Sequence, residues 1–277
     1  MRARAVVLRG LIAAAVVGGL AATAPATVAR PASAAVTAAG PTSAAVTPGP
    51  GPGLPSAQVV VVGHSVHGRR ITAHRYGDLG SPRKALVVGS IHGDEAAGLR
   101  VTRAIRAMRS RIHGVDLWVI DSVNPDGLLA GRRQNARGVD LNRNFGVRWR
   151  RTGPPGSRYY AGRRAFTEPE SRAVRSLVLR LRPAVTVWYH QPYGYVIPPD
   201  SRGDAAVARS YGRLTGNAVR NPPGKTYTGT ASMWENATVP GSTAFVVELP
   251  GYALPAKRIA QHARAAIAVA RLGRAAR

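Results

Sequence analysis

His92 and Glu95 stand three residues apart in Gly89-Ser90-Ile91-His92-Gly93-Asp94-Glu95, directly after the apolar run Ala85-Leu86-Val87-Val88. At that spacing an imidazole nitrogen and a carboxylate oxygen can reach one Zn²⁺, leaving room for a second His and a water. Alone, such a pair is more often a surface feature, so the reading depends on what the rest of the chain supplies. Two more groups close apolar runs. His190 follows Ala184-Val185-Thr186-Val187-Trp188-Tyr189, and Glu248 lies in Ala244-Phe245-Val246-Val247-Glu248-Leu249. Taken singly, His190 reads as a satisfied core histidine. Glu248 is harder to dismiss, because a carboxylate in a buried strand end is costly unless paired or functional.

These groups need a frame. Apolar runs predict strands over 59–62, 71–76, 85–88, 115–120, 184–189 and 244–249, the first two joined as a hairpin. Helical stripes predict helices over 96–112, 205–214 and 256–272. Another opens at Thr167-Glu168-Pro169-Glu170, with Thr167 as cap, and runs to Leu181. Residues 124–127, Asn-Pro-Asp-Gly, read as a turn. Strands alternating with helices predict a single α/β domain with a central mixed, mostly parallel sheet flanked by helices. In such sheets functional groups gather beyond the strand ends. Of only 13 acidic residues, Asp94, Glu95, Asp126, Asp140 and Glu248 fall in such segments.

The N-terminus addresses the compartment. Arg2, Arg4 and Arg9 precede an apolar stretch over 11–22 and then small residues, the parts of a secretory signal peptide assigned to 1–34. The apolar stretch is short for a bilayer, so stable membrane insertion is not expected. Residues 35–55, rich in Ala and Pro, read as a disordered linker, and 56–277 as the catalytic domain. A secreted bacterial protein is expected. The chain has no Cys, which excludes disulfides and thiolate metal sites. Its formal net charge of +26 creates a field attractive to anions. The basic residues are scattered, mostly Arg, and form no compact block interleaved with aromatics, so compositional bias is favoured over specific nucleic-acid binding.

The sequence resembles the zinc carboxypeptidase family. The resemblance is carried, in the family's order, by Gly63-His64-Ser65-Val66-His67-Gly68-Arg69, the Gly89 to Glu95 stretch, Asn124-Pro125-Asp126-Gly127, Gly131-Arg132-Arg133-Gln134-Asn135, Gly138-Val139-Asp140-Leu141-Asn142-Arg143-Asn144-Phe145, Tyr189-His190 and Val247-Glu248-Leu249-Pro250. Its short length and Gly-x-Arg-x-Asn stretch are similar to the small bacterial branch that includes murein peptide amidases. The resemblance implies one Zn²⁺ per chain held by His92, Glu95 and His190, an arrangement for which carboxypeptidase A is the standing example. It implies Glu248 as general base and Arg133 as the oxyanion partner. Asn142 and Arg143 match the pair that grips a substrate's terminal carboxylate, and Asp140 the carboxylate that orients the first His ligand. Tyr227 stands near the family's mobile substrate-closing Tyr, though its spacing to Trp234 is shorter than the family pattern. Lys225 and Ser232 fall in the stretch expected to line the specificity pocket.

The function implied is hydrolysis of a C-terminal peptide bond, in a peptide or a murein stem peptide, by a monomer. One alternative is a zinc deacylase resembling aspartoacylase or succinylglutamate desuccinylase. The other is a non-catalytic binder of anionic cell-wall polymers. Glu235 beside Trp234 is a rival base. His64, His67, His74, His113 and His262 are assigned to surface or packing roles, and Asp94 has none.

Overall fold

The computed structural model describes residues 57–200, 202–224 and 227–273. All lie in the unit Pro50–Arg277. The signal peptide and linker expected before residue 56, and Lys225, fall outside the described residues.

The strands are β1 (Gln58–His64), β2 (Arg70–Gly77), β3 (Lys84–Val88), β4 (Asp116–Ile120), β5 (Val185–His190), β6 (Val196–Ile197) and β7 (Thr243–Glu248). They form one sheet in the order β1-β2-β4-β3-β5-β7-β6. β4, β3, β5 and β7 run parallel, whereas β1, β2 and β6 are antiparallel additions at the edges. This is the expected mixed, mostly parallel frame. β3 is flanked by β4 on one side and by β5 on the other, so the chain leaves it in both directions. The crevice at such a switch point lies beyond the carboxyl ends of the strands, where His92, Glu95 and His190 fall.

Alternating side chains divide the core. Ala85, Val87, Val187 and Tyr189 face one cluster; Leu86, Val88 and Trp188 face the other. Helices α1 (Ala97–Ala107), α4 (Ala205–Thr215) and α6 (Ala256–Ala270) cover the first face. Helices α3 (Pro169–Leu181) and α5 (Ala231–Thr238) cover the second. Among the described residues no helix is long and apolar enough to cross a membrane.

Several expected boundaries shift. The helix expected over 96–112 ends at Ala107 and continues as a 3₁₀ turn over Arg109–Arg111, whose residues are all exposed and give it no buried face to extend. The expected turn at 124–127 opens a short helix, α2 (Pro125–Leu129). Asn124 caps it by accepting from Gly127 N at 2.9 Å, and Pro125 occupies the first turn. The α3 cap is Glu168 instead of Thr167; the Thr167 hydroxyl instead receives the Asn144 amide at 3.0 Å. β6 and α5 were not expected.

The Arg surplus has a structural use. Arg100 donates to Leu254 O, Arg258 to Thr215 O, Arg83 to Gly114 O and Gly273 O, and Arg271 to Arg111 O and His113 O. These guanidiniums satisfy main-chain carbonyls that turns and chain ends would otherwise leave open.

Candidate metal centre

The loop after β3 is held tightly. Gly89 N donates to Ile120 O at 2.8 Å and Val123 N to Ser90 O at 2.9 Å, tying it to the segment after β4. Gly93 packs flat on that segment: a Cβ there would stand 2.0 Å from the Gly127 carbonyl carbon. Only glycine permits this approach.

His92, Glu95 and His190 are buried, and one ligand atom from each lies within 4.8 Å of the others. Glu95 Oε2 is 2.9 Å from His92 Nδ1 and 2.8 Å from His190 Nδ1. The other nitrogen of His92, Nε2, faces Asp140 Oδ1 at 3.0 Å. With its proton there, His92 turns a lone pair toward the Glu95 oxygen. Two lone pairs at that distance repel unless a proton or a cation lies between them.

Asp140 is fully buried. Its Oδ1 also receives Asn142 N at 2.9 Å, and its Oδ2 receives Arg133 Nε and Nη2 at 3.0 and 2.9 Å. Burial works against its ionisation, but His92 and Arg133 overcome this and hold the carboxyl well below the usual carboxylate range. Arg133 also donates through Nη1 to Glu95 Oε1 at 2.9 Å and lies 3.1 Å from His92 Nδ1. It therefore sits directly on the ligand cluster.

Glu248 pairs with His190 across the parallel ladder between β5 and β7. It is buried, burial pushes its carboxyl above the ordinary value, and its Oε2 has no hydrogen-bond partner. Buried carboxylate oxygens are ordinarily satisfied. Two imidazoles and a carboxylate on one point, with an unsatisfied carboxylate beside them, fit a zinc ion with an open position for water.

The residues expected to hold substrate are adjacent. Asn142 accepts from Ala231 N through Oδ1 at 2.9 Å, and its Nδ2 stands 3.3 Å from His190 Nε2. Arg143 Nη1 donates to Asn142 O at 2.7 Å. The Arg143 guanidinium lies 5.2 Å from the Tyr227 ring centre, so Tyr227 reaches the site. Contacts therefore link His92, Glu95, His190, Arg133, Asp140, Asn142, Arg143 and Tyr227 into one cluster, with Glu248 beside His190.

Glu235, the rival base, is placed elsewhere. It is buried against Thr186, near the opposite end of β5 from His190, and receives the hydroxyls of Thr186 and Ser242 at 2.5 and 2.8 Å. Burial pushes its carboxyl up to about 7. His262, as expected, packs in the core, with Nδ1 2.8 Å from the Tyr211 hydroxyl.

Two residues at the site were not foreseen. Tyr159 places its exposed ring 5.4 Å from the Arg133 guanidinium and 5.5 Å from that of Arg143. The run Arg158-Tyr159-Tyr160 was its only trace in the sequence. Gln191 donates its main-chain N–H to Glu95 Oε2 at 3.3 Å and accepts from Ala97 N through its side chain at 2.9 Å. Two of the motif stretches act as braces: Ser65, Arg69 and His67 N all donate to the buried Asp126.

Comparison with known proteins agrees with this geometry. A family model described as zinc carboxypeptidase matches residues 55–266. Murein peptide amidase A of Escherichia coli K12 is 33% identical over 133 residues, covering 43% of this chain and 53% of that protein. A metallocarboxypeptidase A-like protein of Trichophyton verrucosum is 26% identical over 259 residues, covering 74% and 61%. The chain thus spans about half the length of the amidases it matches. In fold it is similar to carboxypeptidase A from Helicoverpa armigera (TM-score 0.68, 20% identity, covering 77% of this chain and 67% of that one). It is also similar to a murein-tripeptide amidase from E. coli O157 (TM-score 0.62, 21% identity, covering 77% and 91%).

Proposed function

The chain belongs to the zinc carboxypeptidase family, and from that premise we propose that it is an exported peptidase releasing the C-terminal residue of a peptide, with a bacterial wall stem peptide as its substrate. The observation that carries the hydrolytic reading is the unpartnered Glu248 Oε2 beside the His92–Glu95–His190 cluster. The murein amidase relatives support the stem-peptide substrate, and the signal-like N-terminus supports export.

His92, Glu95 and His190 would hold a zinc ion, which would supply a Lewis acid able to lower the pKa of water towards ~7 and to polarise the scissile carbonyl. Glu248 takes the proton from the attacking water and returns it to the leaving amine, its Oε2 standing without a hydrogen-bond partner that would compete for the proton. Arg133 turns its guanidinium toward the ligand cluster, where it faces the oxyanion formed on attack. Asn142 and Arg143 hold the free carboxylate of the departing residue, and Tyr227 closes beside Arg143. Asp140 fixes the His92 ring.

Purified protein should carry about one Zn²⁺ per chain and hydrolyse peptides with a free C-terminus. Chelation should abolish turnover and added zinc restore it. Equal cleavage of C-terminally amidated peptides would overturn the carboxylate clamp, and turnover that survives complete chelation would overturn the metal mechanism.

A further inference from the structure

Tyr159 stands between two arginines to which hydrolysis gives different tasks. Its ring centre lies 5.4 Å from the Arg133 guanidinium carbon and 5.5 Å from that of Arg143, and Arg158 brings a third guanidinium to 5.9 Å. At such distances a guanidinium is attracted to the negative face of an aromatic ring. The ring is about half exposed and belongs to neither core cluster, so burial of apolar area does not account for its place. Among the described residues its hydroxyl has no hydrogen-bond partner.

The main chain fixes the ring there. Ser157 O, two residues before it, accepts from Gln134 Nε2 at 3.1 Å, and Gln134 directly follows Arg133. Tyr160 O, one residue after it, accepts from Asp140 N at 2.8 Å, and Asp140 caps the 3₁₀ turn Leu141–Arg143. The Thr152 hydroxyl donates to Tyr159 O, and the Trp149 indole N–H to Ala161 O at 3.3 Å. Tyr159 is thus tied on one side to the segment of Arg133 and on the other to that of Arg143.

The two arginines differ in what else holds them. Arg133 makes three hydrogen bonds to buried carboxylates, two to Asp140 and one to Glu95. Among the described residues the Arg143 guanidinium makes one hydrogen bond, from Nη1 to Asn142 O, and no ion pair. It is buried, and burial, reinforced by the charge of Arg133, pushes its pKa below the ordinary value against the pull of Asp140. A buried cation bonded so sparsely takes its position from the rings beside it, Tyr159 and Tyr227.

We propose that Tyr159 is a positioning residue, which holds the Arg143 guanidinium against the repulsion of Arg133 and presents it to the free carboxylate of the substrate. The inference rests on the carboxylate role proposed for Arg143. Arg133 keeps its place without the ring, because three hydrogen bonds already fix it. Loss of the ring therefore weakens recognition of the carboxylate and spares the chemical step.

The test uses the zinc-loaded full chain, with N-acetyl-trialanine and its C-terminal amide as probes. Steady-state kinetics compare wild type, Tyr159→Phe, Tyr159→Leu, Arg143→Ala and the Tyr159→Leu/Arg143→Ala pair. Equilibrium binding is measured on the same set carrying Glu248→Gln, in which slow turnover leaves the probes intact. Tyr159→Leu should raise KM and Kd for the free acid by about 3- to 30-fold, the range of one guanidinium–ring contact. Its kcat should stay within about twofold of wild type, as when binding common to substrate and transition state is lost. Affinity for the amide should not change. Tyr159→Phe keeps the ring face and should match wild type, and Tyr159→Leu should add nothing in the Arg143→Ala background. If Tyr159→Leu does not fold, Tyr159→Met removes the ring in its place. A wild type that treats acid and amide alike, or Arg143→Ala binding the acid as wild type does, overturns the carboxylate clamp, and this inference falls with it. A loss in Arg143→Ala with none in Tyr159→Leu overturns the inference alone. So do a fall in kcat at unchanged KM, equal losses for acid and amide, Tyr159→Phe as weak as Tyr159→Leu, or additive losses in the pair.

Discussion

His190 and Glu248 are partners across the ladder between β5 and β7, both at the last residue of their strands. The spacing between the proposed metal ligand and the proposed general base is thus set by adjacent-strand pairing, about 4.8 Å, and not by a loop. A register slip of one residue would send one of them to the opposite face.

Glu248→Gln keeps the shape of the base and removes its proton affinity. Zinc content should stay near wild type while kcat falls by about 10²–10⁴-fold. Steady-state kinetics with parallel elemental analysis checks this, and full activity with metal bound would refute the assignment.

Asp140→Ala removes the partner of His92 Nε2 and of Arg133 together. Zinc affinity should fall by about 10–100-fold, as is usual when the group orienting a histidine ligand is lost. Competition with a chromophoric chelator reads the change. The variant should regain part of its turnover at saturating zinc.

Gly93→Ala forces a methyl group into the Gly127 main chain, with the carbonyl oxygen at 2.2 Å and Leu128 N at 2.3 Å from the new atom. The loop carrying His92 and Glu95 must move. Stability should drop by about 1–3 kcal/mol, and zinc affinity should fall with it, measured by denaturant unfolding and metal titration. Gly131, where an added Cβ would meet nothing within 4 Å and φ is +60°, serves as a contrast: Ala there should cost backbone strain alone and spare the metal.

His262 and Glu235 titrate in opposite senses. Burial, aided by Arg258, pushes His262 down to about 4 from an ordinary 6.5. Its contribution to stability is complete above pH 6.5 and lost as pH falls towards 4, because the unfolded chain takes the proton first. Glu235 is raised to about 7 from 4.5, so its contribution is complete below pH 4.5 and lost as pH rises through 7. Across pH 4.5–6.5 the two largely offset each other. A His262→Leu variant should therefore gain stability on acidification, relative to wild type, by up to about 3 kcal/mol. Urea unfolding at several pH values provides the comparison, and parallel curves for the two proteins would refute it.

The parallel centre of the sheet was legible because strands covered on both faces are written as unbroken apolar runs, as in 85–88 and 184–189. The edge strand β6 was not, since two residues, Val196 and Ile197, have no period to read. α5 was hidden because Ala231–Thr238 is short and partly polar. What makes it a helix is the Thr230 cap and the packing of Trp234 between Phe145 and Phe166, contacts from distant parts of the chain. At the site, His92, Glu95, His190 and Glu248 were legible because each lies at or just beyond a strand end. Tyr159 was not: its place under Arg133 and Arg143 follows from how its loop folds back, which no local pattern records.

The guanidinium-to-carbonyl bonds of Arg83, Arg100, Arg258 and Arg271 bear on the conditions the domain tolerates. Neither partner in such a bond changes protonation over ordinary pH. Fastenings of this kind hold through acid shifts that would dissolve an Asp–Arg pair, and they need no acidic residue at all. A chain so poor in Asp and Glu can in this way keep turns and helix ends pinned at points where it has no carboxylate to offer.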